Sequence, residues 1–287
     1  MSKSGGAYIL TIVCPDTIGI VAAVAGYLSN QNHFIDESSH YGDPDTQRFF
    51  MRTRFTPERE TFPLAAFDAD FRNIAEQFDM DWNIYDANTP ARVLIVVSKH
   101  EHCVNDLLYR YRTGALPITI PAIISNHLDL KELAEWHRVP YFHVPVNRDN
   151  KTKAEARLLE IVDDTAADLV VLARYMQILS DELCQRLTGR IINIHHSFLP
   201  GFKGAKPYHE AHEHGVKLIG ATAHYVSPEL DEGPIIEQTV ERVDHTQTIN
   251  DLITVGRDVE SITLARAVKL HVDHRVFLNG RKTVVLR

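Results

Sequence analysis

Val93-Leu94-Ile95-Val96-Val97 is an unbroken run of five apolar residues, four of them β-branched. A strand with one wet face alternates apolar and polar positions, whereas a strand covered on both faces has no need of polar ones. Similar runs follow at Ile118 to Ile124, Tyr141 to Val146, Leu169 to Leu172 and Ile191 to Ile194, with helical patterns between them. One of these helices is expected to open on the capping box Thr152-x-x-Glu155. The alternation predicts an α/β unit: a mainly parallel sheet with helices on both faces. Further on, Leu218 to Val226 and Pro234 to Val243 read as strands, and Leu252, Val255, Val259 and Ile262 mark a long amphipathic helix. Arg275 to Leu278 and Lys282 to Leu286 then flank Asn279-Gly280, a hairpin turn signal.

The chain before Pro90 has a different rhythm. Ala7 to Cys14 is β-rich and ends at Pro15, and Val21, Val24, Ala25 and Leu28 recur at helical spacing. After Arg48, Phe49, Met51, Thr53 and Phe55 alternate with Phe50, Arg52 and Arg54, which is strand periodicity. Pro63 is placed to open a helix with Leu64, Phe67, Phe71, Ile74 and Phe78 on its apolar face, and Asp81 to Tyr85 closes the unit. Strand, helix, strand, strand, helix, strand is the order of a ferredoxin-like α+β sandwich. Two domains are therefore expected, 1–88 and 89–287, divided near Asn88-Thr89-Pro90, the second able to fold without the first.

With 287 residues, 44% hydrophobic and 24% charged, the chain can bury a core without disulfides. A net charge of -8 gives no electrostatic ground for nucleic acid or an anionic membrane as partner. Cys14, Cys103 and Cys184 stand far apart and are odd in number, which fits free thiols in a reducing compartment. Met1 to Gly6 is a short polar tail, and Tyr8 to Val13 is too short for a signal core or a membrane span. The expected location is the cytoplasm.

The chemistry concentrates between Ile192 and Ile236. One strand ends in Asn193-Ile194-His195-His196-Ser197-Phe198-Leu199-Pro200. Another reads Thr222-Ala223-His224-Tyr225-Val226 and runs into Ser227-Pro228-Glu229-Leu230-Asp231-Glu232-Gly233-Pro234. Open α/β sheets bind ligands beyond the carboxyl ends of their strands. Asn193 and His195 fall at such an end with one residue between them, so an extended chain turns both to one face. Asp231 sits in a loop bounded by Pro228 and Gly233-Pro234, stiff enough to hold a carboxylate in place. A carboxylate to take a proton from water, with an amide and an imidazole to steady an oxyanion, suffices to hydrolyse a formamide. On chemistry alone a plainer reading stands beside it: Asn193 as a helix cap, His195 as a surface histidine, Asp231 as a turn residue.

Two motifs go further. Asn-Ile-His-x-Ser-x-Leu-Pro (Asn193 to Pro200) and His-x-x-x-x-x-Leu-Asp-x-Gly-Pro (His224 to Pro234) resemble the signatures of formyltetrahydrofolate-using transferases and hydrolases. The likeness runs from about Arg92 to the end of the chain. It implies a formyltransferase-type, Rossmann-like domain with Asn193, His195 and Asp231 as catalytic residues. It implies also a substrate-binding pocket for the pteridine from Met176, Gln177, Ile178, Leu179, His224, Val226 and Glu229, largely through backbone groups. No metal and no cofactor are implied; 10-formyltetrahydrofolate is the substrate.

Within that family the chain looks most like the deformylases. Its glycinamide ribonucleotide transformylases carry a Gly-rich, phosphate-gripping loop after the first strand. Here Ser98-Lys99-His100-Glu101-His102-Cys103 has no glycine, and the side chains of Lys99, His100, Glu101 and His102 are expected to narrow an acceptor cleft. The first unit resembles an ACT domain, an amino-acid-binding regulatory module. Its signature turn would be Asp16-Thr17-Ile18-Gly19-Ile20, with Asp16, Gly19 and Ile20 binding the effector. One departure stands out: transferases often have Pro where His196 stands.

The resemblance thus implies hydrolysis of 10-formyltetrahydrofolate to tetrahydrofolate and formate, with water activated at Asp231 and the tetrahedral intermediate stabilised by Asn193 and His195. Such a reaction supplies formate and balances the one-carbon folate pool for purine synthesis. The implied partners are the folate, an amino-acid effector and further copies of the chain, since ACT-like sandwiches expose sheet edges that pair into a dimer or tetramer. Two other readings stay open: a formyltransferase to an unidentified amine, and an amino-acid-sensing binding protein with an idle catalytic domain. Lys99 and Lys206 are candidates for the anionic tail of the substrate. Sixteen histidines invite a metal reading, but His209-Glu210-Ala211-His212 lacks the His-Glu-x-x-His spacing of zinc proteases, and no cysteine pair adds ligands. Gly215 reads instead as the stop of a helix with His212 and His214 in its last turn.

Overall fold

The computed structural model describes residues 6–58, 62–200 and 207–287. The first unit runs β1 (Tyr8–Pro15), α1 (Ile20–Asn30), β2 (His33–Asp43), β3 (Arg48–Pro57), α2 (Leu64–Gln77) and β4 (Asp81–Asp86). Its strands form one antiparallel sheet in the order β2-β3-β1-β4. Leu10, Ile12, Met51 and Phe55 of the sheet pack against Ile20, Val24 and Leu28 of α1 and Phe67 and Phe71 of α2. Val21 and Leu64, expected on the inward helix faces, are 38% and 48% exposed. In α1 the inward stripe is Ile20, Val24, Leu28, spaced by four, which turns Val21 outward.

The second unit runs β5 (Ala91–Val97), α3 (His102–Thr113), β6 (Ile118–Thr119), β7 (Ile123–Ser125), α4 (Lys131–Trp136), β8 (Tyr141–His143) and α5 (Lys151–Asp164). It continues with β9 (Leu169–Leu172), α6 (Asp181–Arg186), β10 (Ile191–His195), α7 (Pro207–Glu213), β11 (Leu218–Tyr225), β12 (Ile235–Arg242) and α8 (Ile249–Val272). The sheet order is β12-β11-β10-β9-β5-β7-β8, with short β6 pairing to the start of β5. From β10 to β8 the strands are parallel; β11 and β12 are antiparallel additions at one edge. Val93 to Val97 are wholly buried, as their lack of polar positions requires. The chain lays β7 and β8 to one side of β5, then crosses to lay β9 and β10 on the other. The crevice between the ends of β5 and β9 is therefore the topological switch point, where such sheets bind ligands.

Several expected elements come out shorter or differently tied. Ile118 to Ile124 splits into β6 and β7 around Pro121, which has no N–H for the ladder. The Tyr141 run stops at His143, two residues before Pro145. The capping box is not formed: Thr152 lies inside α5, whose cap is Asn150, and Glu155 Oε1 accepts instead from Ser180 N at 2.8 Å. Ser180 in turn caps α6, its Oγ accepting from Leu183 N. Ile262 of α8 is 37% exposed, while Glu260 is 2% exposed. Among the described residues no helix is long and apolar enough to cross a membrane.

The expected hairpin is present as β13 (Val276–Asn279) and β14 (Lys282–Val285), with Gly280 at φ +61°. Asp273–Asn279 and Val284–Arg287 belong with the first unit, so that unit is not continuous in sequence. They explain why β3 is buried on both faces. Phe277 and Leu286 cover Phe50, with Val13 and Val284 at the margin. Arg52, 2% exposed, donates from Nε to the Asp273 carbonyl (2.8 Å) and from Nη1 to Glu37 (3.1 Å). Arg275 binds the same Glu37 through two nitrogens at 2.8 and 2.9 Å. Hydrogen bonding from Arg275, outweighing burial, holds the Glu37 carboxyl below its usual range. Asn279 Nδ2 donates to Asp43 Oδ2 at 2.6 Å.

Removing residues 1–88 alone would uncover Phe277 and Leu286, each worth roughly 1.5–3 kcal/mol of burial, and strip Arg275 of its carboxylate. A fragment 89–287 is therefore expected to bind a hydrophobic dye and aggregate, while a fragment 91–272 stays monodisperse with helical circular dichroism. Equal dye binding by the two fragments would contradict this division.

Candidate active site

Asn193 and His195 lie at the end of β10, opposite His224 and Thr222 of β11 in antiparallel register. That pairing places His224 directly beside Asn193, whose Nδ2 is 3.3 Å from His224 Nε2. The other nitrogen, His224 Nδ1, is 2.8 Å from the Tyr225 carbonyl, which only accepts. Nδ1 therefore carries the proton, Nε2 of the neutral ring accepts, and the Asn193 amide is oriented with its nitrogen toward His224.

Asp231 closes the group. Its Oδ2 is 3.2 Å from His195 Nδ1 and its Oδ1 is 3.7 Å from His224 Nε2. Burial pushes the carboxyl pKa up, but hydrogen bonding and charge from His195 outweigh it and hold the group well below the usual carboxylate range. The loop reaches this position through two backbone features. Asp231 has φ +57°, a left-handed conformation that Asp tolerates better than most residues. Gly233 lies so close to Tyr225 that a Cβ would sit 1.7 Å from its carbonyl oxygen, and Tyr225 N donates to Pro234 O at 2.9 Å. With Nδ1 committed to Asp231, the buried His195 Nε2 has no hydrogen-bond partner among the described residues. The group is thus a carboxylate–imidazole pair with an oriented amide alongside, suited to acyl chemistry at a carbonyl.

These residues line a cavity of about 450 Å³ at the ends of β9 and β10. Met176, Gln177, Ile178, Leu179, His224 and Val226 line it as well. Met176, Ile178 and Leu230 are more than half exposed, an apolar wall open to a flat ring. Glu229 is not in the lining: its carbonyl is tied to Ser227 Oγ at 2.9 Å and the residue is exposed. In the first unit, Asp16 and Gly19 are exposed at the turn into α1 and Gly19 has φ +100°, but Ile20 is 1% exposed and its side chain belongs to the core. Lys99 is exposed, and Lys206 lies outside the described residues.

A second polar cluster adjoins the first and was not legible as a motif. Glu260 of α8 accepts from Tyr208 Oη (2.8 Å), is hydrogen-bonded to His102 Nε2 (2.8 Å) and lies 3.4 Å from Arg174 Nε. Burial raises the Glu260 pKa, but the His102 hydrogen bond and the Arg174 charge bring it below its usual value. His102 is thus turned to Glu260, while Lys99, His100 and Glu101 are exposed, and none of the four lines the cavity. A signal for Glu260 did exist: it stands alone as an acid in the stripe Leu252, Gly256, Leu264, Val268. Gly256 in that stripe makes room for Tyr208, whose Oη would be 2.1 Å from a Cβ there. His102, Cys103 and Glu260 offer donor atoms within 4.8 Å of one another. The Arg174 cation beside Glu260 and a Cys103 thiol whose pKa burial pushes up make this set a better fit for shared protons than for a metal ion. In α7, Gly215 at φ +59° follows the helix end, as expected for its stop.

A parallel sheet with Asn193, His195 and Asp231 gathered at its carboxyl end defines a class. Residues 91–268 match the formyl transferase family, and the chain belongs to that family. Its similar relatives are more particular. The formyltetrahydrofolate deformylase of Corynebacterium sp. (strain P-1) is 52% identical, covering 98% of each chain. That of Bacillus subtilis (strain 168) is 45% identical over 96% of this chain and 92% of its own. The crystal structure of formyltetrahydrofolate deformylase from Burkholderia mallei superposes with a TM-score of 0.93 at 52% identity, covering 98% of this chain and 100% of that one.

Two substitutions test the geometry. Gly233→Ala must push the Asp231 loop off the Tyr225 carbonyl; a displacement near 1 Å is expected to lower kcat/KM by about 10². His224→Ala frees the Asn193 amide, which His224 Nε2 orients. The rate should fall roughly five- to tenfold, the worth of one hydrogen bond. A native rate in His224→Ala would show that the Asn193 amide needs no such orientation.

Proposed function

We propose that this chain hydrolyses 10-formyltetrahydrofolate to tetrahydrofolate and formate, at Asn193, His195 and Asp231. The observation that carries the reading is the Asp231 carboxylate held ionised against His195 Nδ1, with His195 Nε2 left for a substrate oxygen. To donate at Nε2 while Nδ1–H faces Asp231, the ring must be an imidazolium, and Asp231 is its counter-ion. The formyl oxygen then meets His195 Nε2–H and the second N–H of the Asn193 amide, two donors where negative charge develops. Asp231 Oδ1, at 3.7 Å from His224, is beyond hydrogen-bond distance and is left to accept from the attacking water. Water oxygen bonds to the formyl carbon, its proton passes through Asp231 to N10, and the carbon–nitrogen bond breaks to give formate.

The pterin ring is assigned to the cavity walled by Met176 to Leu179 and Val226, and Glu229 is left out of it. Supply of formate and balance of the one-carbon folate pool follow from the reaction. The first unit is read as an ACT-like regulatory domain, on its strand and helix order and the positive φ of Gly19. Asp16 and Gly19 are its candidate effector residues. The edge strand β2 carries exposed Phe34, Ile35 and Tyr41, which supports self-association.

Asp231→Asn should keep the fold and lower turnover by about 10² to 10⁴, since an amide takes no proton from water. With 10-formyltetrahydrofolate as the sole substrate, the native chain should release free formate in step with tetrahydrofolate. An Asp231→Asn chain with native turnover, or no formate from the native one, would sink the assignment.

A further inference from the structure

The crevice between the ends of β5 and β9 is where a doubly wound sheet offers its ligand site, and in this chain protein side chains fill it. Arg174 follows β9, and its carbonyl accepts from Ser98 N at the end of β5 (3.3 Å). Its guanidinium stands 3.4 Å from Glu260 and donates to His196 Nδ1. Glu260 is gripped from its other sides by His102 and Tyr208. His196 lies flat against catalytic His195, with ring centroids 4.9 Å apart and planes 18° apart. Arginine has donors only, so His196 Nδ1 accepts and its ring is neutral. A neutral ring can stack on an imidazolium without charge repulsion.

Arg174 also has φ +65°, a conformation in which glycine would be unstrained. An arginine there carries a backbone penalty, and its side chain ends in a polar cluster rather than in the apolar core, so packing does not account for it. Arg174 and His196 line the same cavity as the catalytic pair. That cavity has two linings: the apolar one offered to the pterin, and this cationic and imidazole one.

We propose that Arg174 and His196, anchored by Glu260, are the specificity determinants that reserve the acceptor side of the cleft for water. The inference rests on the hydrolase reading and supplies the reason the acceptor is water. A transferase must admit an amine nitrogen together with the substituents behind it. At this switch point that volume is taken by a guanidinium and an imidazole, hydrogen-bonded to each other with the guanidinium ion-paired to Glu260, whereas water needs no room behind its oxygen.

Arg174→Gly suits the backbone at this position and removes only the side chain. The full chain would be given 10-formyltetrahydrofolate labelled at the formyl carbon, with glycinamide as a small primary amine. Free formate and N-formylglycinamide are followed together by NMR. In transfer the bond from formyl carbon to N10 breaks, a bond to the amine forms, and the amine's proton goes to N10, so no further reactant is needed. The native chain is expected to release formate only, at every amine concentration. Arg174→Gly is expected to raise N-formylglycinamide at least about tenfold over the native background, with His196→Ala raising it less. Formate as the only product of both variants would overturn the proposal. So would an Arg174→Gly chain that is folded by circular dichroism yet turns over by neither route, because Arg174 would then serve the chemistry itself. No formate from the native chain would remove the hydrolase reading, and this inference with it.

Discussion

The close approach of Gly233 to the Tyr225 carbonyl sets the geometry on which the rest of the site depends. With no Cβ in the way, the loop after β11 folds back onto its own strand, and Tyr225 N is answered by Pro234 O. The same carbonyl accepts from His224 Nδ1, which fixes the His224 tautomer and through it the Asn193 amide. The folded-back loop brings Asp231 against His195. One backbone contact thus positions a carboxylate, an imidazole pair and an amide, and a side chain at position 233 would disturb all of them together.

Two carboxylate–imidazole clusters share this end of the sheet, and their surroundings give them different uses. Asp231 is partly open to the cavity and pairs with a histidine that keeps one nitrogen uncommitted. Glu260 is nearly inaccessible, with its oxygens committed to His102, Tyr208 and Arg174. Low local dielectric strengthens both sets of interactions. In the first it holds the carboxylate against an imidazole that faces the cavity; in the second it locks side chains in place at the switch point.

The first unit shows a related constraint in its sheet. Phe50 and Arg52 sit on the face of β3 away from the helices and would face water if the unit ended at Pro90. Residues from Asp273 onward supply the cover, with Phe277 and Leu286 over the phenyl ring and Glu37 shared between Arg52 and Arg275. A buried arginine requires such pairing, because the desolvated charge would otherwise be costly. Residues from the start and the end of the chain therefore form one folding unit.

Local pattern in the sequence determined much of this protein. Val93 to Val97, without a polar position, can only be a covered strand, and alternating strands and helices around it dictate the parallel sheet. Asn193 and His195 are two apart on a strand, so their shared face followed from strand geometry, and Pro and Gly around Asp231 marked a stiff loop. Other features were decided by partners distant in the chain. Glu155 left its expected capping box for Ser180 N, because a tertiary donor competed with a local one. The His195–Asp231 contact and the burial of Phe50 each join residues whose approach no periodicity encodes. The Arg174–His196–Glu260 cluster was beyond local pattern for the same reason. Periodicity reports which face of an element is dry; only the packed chain decides which charged groups share that dry space.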